Sequence, residues 1–237
     1  MVSIKNFWKE LLKDIYNNGD IHRKDDAEIK ELLNISGWID TPLEDFLTIS
    51  LDKERYIEFL RDGVFDIDGY GIKSEALAEY VSALDDRQQI HIGHGNAFVY
   101  TYPQRLKAYP TIDNSQVPWL FHQIEAMADV LRINPGSNRA VAVLYQPIID
   151  WKEEHIPCLN WMQALIRDNM LYLSVMFRSN DIYNAFPANM FFITYVGLSL
   201  VELLQDKYPS LKFEGIYYQC SSAHYYTEFD KDVKKII

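Results

Sequence analysis

Cys158 and Arg178 stand twenty residues apart in a chain of 237 residues that has just one other cysteine, Cys220. A thiolate is a strong nucleophile, and a guanidinium close by favours the ionised form. The stretch between them, IPCLNWMQALIRDNMLYLSVMFRSND over 156–181, reads as two strands joined at Asp168 and Asn169. Those two residue types suit a tight hairpin turn. With them as the loop, Arg167 faces Met170, and counting outward sets Cys158 opposite Ser179 with Arg178 alongside. A slip of one residue would reverse every face. Taken alone, a cysteine after Pro157 is as well explained as a small buried hydrophobe. Two cysteines make no disulfide framework.

Other residues with chemistry are more ambiguous. His91-x-x-His94 has tolerable metal spacing, but no third and fourth ligand converges on it in sequence, so no metal is expected. Asn189, after Pro187, reads locally as a helix cap. His224 and Tyr226 could be a paired core histidine and tyrosine. Arg139 and Arg178 could be solvated surface charges.

The elements that must position these residues follow from periodicity. Ile4, Phe7, Trp8, Leu11, Leu12 and Ile15 fall on one helical face, and Asn17, Asn18 and Gly19 stop that helix. Helical patterns are also expected near 52–61 and 74–85, and over 116–133 up to the turn residues 134–137. After Arg139 the run Ala-Val-Ala-Val-Leu-Tyr reads as a buried strand, 190–204 as a long apolar helix, and 213–220 as a last strand. Strands alternating with helices around a hairpin predict an α+β (mixed α/β) fold, most simply one domain over 1–237.

Composition narrows the partners. The formal charge of −11 opposes nonspecific binding to a phosphate polymer, so no nucleic acid is expected. A small phosphorylated ligand needs only a few placed arginines. The apolar run Met190–Val201 is short for a bilayer, and the first residues lack a signal-peptide pattern. A cytoplasmic protein without a membrane partner is the expectation.

Several separated motifs, in order, resemble the thymidylate synthase family. NPGSNR (134–139) resembles its Asn-Pro-Asp-Ser-Arg-Arg turn, and IPC places Cys158 nineteen residues after Arg139, as the family spaces its nucleophile. Gln163, RSND (178–181), PAN (187–189) and SAHYY (222–226) follow at matching offsets, so the resemblance covers about Tyr100 to Tyr226. It implies a thymidylate synthase-like fold, with a mixed sheet packed by helices and used for dimerisation.

The resemblance also implies roles. Cys158 would attack C6 of a pyrimidine nucleoside monophosphate, making C5 nucleophilic toward a one-carbon unit. Asn189 would read the N3/O4 edge and stabilise the enolate. Arg178, Ser179 and Arg139 would clamp the phosphate, with Arg139 reaching the partner's site in a homodimer; Asn138 replaces the second arginine of that turn. His224 and Tyr226 would hold the ribose 3′-hydroxyl, Tyr100 would assist loss of the C5 proton, and Asp181 would bind the pterin of a reduced folate. The catalytic glutamate of the family falls near ERYIEFLRDG: Arg55 takes its place without a gap and Glu54 with one, while Glu58 shares the helical face of Glu54.

The implied reaction is transfer from 5,10-methylenetetrahydrofolate, or a tetrahydromethanopterin analogue, most simply dUMP to dTMP. Related hydroxymethylases quench the same methylene intermediate with water. The absence of a folate-packing tryptophan in 62–90 and the early end at KDVKKII lean toward that alternative. Short archaeal-type synthases share the length, RSND and the early end. Phage dCMP hydroxymethylases carry aspartate where this chain has Asn189, so a uracil nucleotide is expected. A nucleotide-binding paralogue without turnover is the third reading, given Asn138, Arg55 and Leu159, which stands where long synthases have histidine.

Overall fold

The computed structural model describes residues 2–40, 102–107, 109–112, 118–153 and 155–237. Helix α1 (Ile4–Asn18) starts at Ser3, whose hydroxyl accepts the Asn6 N–H, and buries Ile4, Trp8, Leu11, Leu12 and Ile15. That is the face expected from the periodicity. Phe7, at its margin, stacks on Phe186 and meets the edge of Tyr218.

A hairpin that the sequence reading did not identify follows: β1 (Asp20–Lys24) and β2 (Ala27–Ile39), turning at Asp25 with φ 55°. Helix α2 (Tyr102–Lys107) and strands β3 (Tyr109–Ile112) and β4 (Pro118–Phe121) come next. The helix expected over 116–133 is therefore shorter: α3 spans Gln123–Ile133, capped by the His122 ring. Residues 118–121 pair with β3 instead, because proline opens a strand readily and the aromatic residues after it favour one.

The run after Arg139 forms only β5 (Val141–Val143), with Ala142 buried and both valines exposed, so among the described residues it is an edge strand rather than a buried one. A single turn, α4 (Pro147–Asp150), precedes β6 (Leu159–Arg167) and β7 (Met170–Phe177). Asp168 and Asn169 join the latter pair at φ 51° and 60°, the left-handed backbone of a two-residue hairpin. A two-residue strand β8 (Asn180–Asp181) leads to α5 (Phe186–Leu204), then β9 (Lys212–Tyr226), a 3-10 turn and α6 (Asp230–Ile236).

Among the described residues, seven strands form one sheet in the order β1-β2-β9-β7-β6-β5, with β8 also on β9. Pairing is antiparallel except for β7 and β8, which both run parallel to β9. The mixed sheet packed by helices is the α+β fold expected. Its inner face meets α5, where a side-chain carbon on Gly197 would lie 2.5 Å from the Phe213 ring, so glycine permits the close approach. α5 has the length and composition of a membrane span, yet most of it is buried inside this fold, as in a core helix. It starts four residues before the expected 190, since Pro187 needs no N–H partner in a first turn. β9 runs past the expected Cys220 and carries His224 and Tyr226 itself.

Candidate active site

The IPC, RSND, PAN and SAHYY segments assemble where the β6–β7 hairpin opens away from its turn. Trp161 pairs with Met176 but Leu159 with Phe177, so Asn160 is an extra residue, a bulge. The bulge shifts the register: Cys158 lies opposite Arg178, not Ser179, and its carbonyl accepts the Arg178 N–H at 2.8 Å. Counting from the turn could not include a bulge that long-range packing sets. Asn160 also donates to the Pro157 carbonyl at 3.2 Å.

The Arg178 guanidinium braces the loop before Cys158, donating to the carbonyls of Ile156 at 2.9 Å and Pro157 at 3.1 Å. A guanidinium has five N–H donors, so three remain for an anion. Cys158 is half-buried and carries a free thiol rather than being sealed in the core. β7 and β8 lie on one line along β9, with Phe177 beside Cys220 and Asn180 beside Ala223. Arg178 and Ser179 occupy the break between them, across from Ser221 and Ser222. RSND and SAHYY are thus brought together.

Asn189 sits in the first turn of α5, buried, and donates through Nδ2 to Asn180 Oδ1 at 3.0 Å. Asn180 in turn donates to the Tyr218 hydroxyl at 3.0 Å. Tyr218 also bonds Cys220, and both it and Cys220 lie within electrostatic reach of Cys158. Burial pushes the Cys220 thiol up to about 11, and pushes the Tyr218 phenol well above its ordinary range. Cys220 is thus a protonated thiol at neutral pH.

His224, fully buried on β9, has Lys24 Nζ against its Nε2 at 3.2 Å and Ser222 near its Nδ1 at 3.4 Å. Lysine only donates, so Nε2 accepts and Nδ1 carries the proton. Burial first, then the Lys24 charge, lowers its pKa, against Asp181, the Ser222 backbone and Glu31, which raise it. Ser222 donates to Glu31, which also lies 3.4 Å from His22. The Tyr226 ring meets His224 edge-on at 5.8 Å, under Lys24.

Asp181 accepts the N–H groups of Tyr183 and Asn184 on Oδ1 and the Asn184 amide on Oδ2. A carboxylate offers about four acceptor sites, so about one is left for a ligand. Arg139 is exposed at the start of β5, beside the far end of β6: Ala164 bonds the Ala140 carbonyl. At ~3.3 Å per residue along β6, it stands roughly 20 Å from Cys158 of its own chain. Tyr100, Glu54, Glu58, Arg55, His91 and His94 lie outside the described residues.

Four partners of the site carried no role in the sequence reading. Asn180 lay inside RSND, and Tyr218 shares the inward phase of Ile216 on β9. Lys24 and Glu31 have no local signal, since Lys24 meets a histidine 200 residues away.

Comparison with known proteins fits this arrangement. The profile of the family described as thymidylate synthase matches residues 85–237. Proteins named "Putative thymidylate synthase" are similar in three archaea. The one from Methanococcoides burtonii is 30% identical, over 99% of this chain and 92% of its own. That of Methanosarcina mazei is 29% identical over 86% and 78%. That of Methanothermobacter thermautotrophicus is 26% identical over 99% and 95%. With IPC, RSND, PAN and SAHYY gathered at one end of the sheet and this match over most of its length, the chain belongs to the thymidylate synthase family.

Proposed function

We propose that the protein converts dUMP to dTMP, with a reduced pterin as one-carbon donor, through attack of Cys158 on C6 of the uracil ring. The observation that carries this reading is the half-buried Cys158 held against Arg178, with Tyr218 and Asn180 linking the thiol's surroundings to Asn189. The names of the archaeal relatives support the methyl product.

In this mechanism Arg178 holds the Cys158 loop with two of its N–H groups and the nucleotide phosphate with others, aided by Ser179. The thiolate adds to C6, and the electron pair moves through C5 to O4. Asn189 donates to O4 as charge develops there and accepts a hydrogen bond from N3–H, a contribution larger in the transition state than in the bound substrate. The buried Nδ1–H tautomer of His224 leaves Nε2 as an acceptor for the ribose 3′-hydroxyl, which takes the place of Lys24 there. Tyr226 completes the ribose contact.

The donor, 5,10-methylenetetrahydrofolate or its methanopterin analogue, supplies the methylene carbon and the hydride when bound. The one acceptor site left on Asp181 suits an N–H of its pterin. Arg139 is too far to serve its own Cys158, so it acts on the phosphate in a partner subunit. Tyr100 would assist removal of the C5 proton, and Glu54 would stand as the catalytic glutamate.

Incubation with 5-tritiated dUMP and methylenetetrahydrofolate tests this. Tritium should pass to water with wild type and cease with Cys158→Ala, and mass spectrometry should find a methylated nucleotide. No release by a protein that binds dUMP would make it a binding module. A hydroxymethyl product would transfer it to the hydroxymethylases.

A further inference from the structure

The base-reading amide is not left to choose its own orientation. Asn189, Asn180 and Tyr218 form a buried chain with one polarity: Asn189 Nδ2–H to Asn180 Oδ1, and Asn180 Nδ2–H to the Tyr218 oxygen, each at 3.0 Å. All three are buried, Asn180 at 2% exposure and Tyr218 at 0%, so water cannot replace a lost partner. Tyr218 remains a protonated phenol, and Cys220 beside it takes the far end of the chain.

A side-chain amide offers one oxygen acceptor and two N–H donors. With one N–H of Asn189 spent on Asn180, an oxygen and a single N–H remain, in fixed order. Uracil presents an N3–H donor beside an O4 acceptor, which that pair complements. Cytosine presents the reverse, an N3 acceptor beside an N4–H donor. To suit it, Asn189 would have to flip and point its oxygen at the oxygen of Asn180. Asn180 would then have to flip as well, and the Tyr218 hydroxyl would have to leave Cys220 and donate instead. The full reversal involves four buried groups at once.

We propose that Asn180 and Tyr218 are positioning residues that lock the Asn189 amide in its uracil-reading orientation and thereby set the choice of uracil over cytosine nucleotides. The inference rests on the reading of Asn189 as the residue that meets the base.

The test is equilibrium binding of dUMP and of dCMP to the full-length protein, by calorimetry, in wild type, Tyr218→Phe and Asn180→Leu. Tyr218→Phe removes one oxygen while keeping the ring against Phe7, Phe177 and Phe186. Wild type should prefer dUMP, and each variant should lower the dUMP-to-dCMP affinity ratio by about tenfold, the scale of one misdirected hydrogen bond. General loosening of the site would weaken both nucleotides alike and leave that ratio in place. A ratio unchanged in folded Tyr218→Phe overturns the lock, even if Asn180→Leu does not fold. Equal wild-type affinity for both nucleotides also overturns it, with nucleotide binding intact. If wild type binds neither nucleotide, the reading of the site falls, and the lock falls with it.

Discussion

At the scale of single residues, Arg178 holds the Cys158 loop and, under the proposed function, also the phosphate, two duties that a lysine cannot share. Its fork holds two carbonyls of the Cys158 loop and keeps three N–H groups for an anion. A lysine ammonium in its place would be a point charge on a flexible stem. Arg178→Lys should therefore lose about 1–2 kcal/mol of unfolding free energy, from two part-buried hydrogen bonds, and should lower kcat/KM by about tenfold or more. Denaturant titration and steady-state kinetics with dUMP would check both. His224 gives a pH signature. Its folded pKa lies below the ordinary ~6.5, so between the two values the unfolded chain binds more protons. Stability from this group is complete above about pH 6.5 and is lost as pH falls toward and through the folded value. His224→Gln should flatten that part of the melting temperature–pH profile. Lys24→Met should shrink it, because the Lys24 charge is the second cause of the depression.

At the scale of elements, the β6–β7 hairpin is the part on which the site depends. Its turn puts Asp168 and Asn169 in left-handed backbone, which costs most L-residues about 1–2 kcal/mol each and glycine little. Asn169→Gly should raise the denaturant midpoint, and Asn169→Val should lower stability by about 1–2 kcal/mol. The turn and its pairing were legible in the sequence because they are local. The bulge at Asn160 was not, and it moves Cys158 from Ser179 to Arg178. Likewise the helix expected at 116–133 gave up its first residues to β4, a strand that exists only because β3 pairs with it.

At the scale of the whole molecule, the described residues of the sheet carry exposed apolar side chains. Trp38 and Leu33 are 50% and 64% exposed, and Val141 and Val143 line the far edge. Trp38 meets Tyr172 and Tyr217 there, so aromatic surface crosses several strands. Such a contiguous apolar face suits a second copy of the chain, and Arg139 stands at its edge, roughly 20 Å from Cys158 of its own chain. Trp38→Lys should shift the protein from dimer to monomer in analytical ultracentrifugation and depress activity with it. Mixing inactive Arg139→Ala and Cys158→Ala dimers, then allowing exchange, should restore about a quarter of wild-type turnover, because half the dimers would hold one intact site of two. Arg139 acting within its own subunit would restore none.

The sequence by itself determined the hairpin turn, the apolar faces of α1 and α5, and the ordered motifs that mark the family, Cys158 among them. These are set by residue type and by spacing over a few residues, where chain geometry leaves few choices. Tertiary structure alone decided that Cys158 faces Arg178, that Lys24 touches His224 across 200 residues, and that Tyr218 and Asn180 hold Asn189. Those pairings depend on strand order, on one bulge and on which polar groups are left to satisfy each other once water is excluded, and no local pattern encodes them.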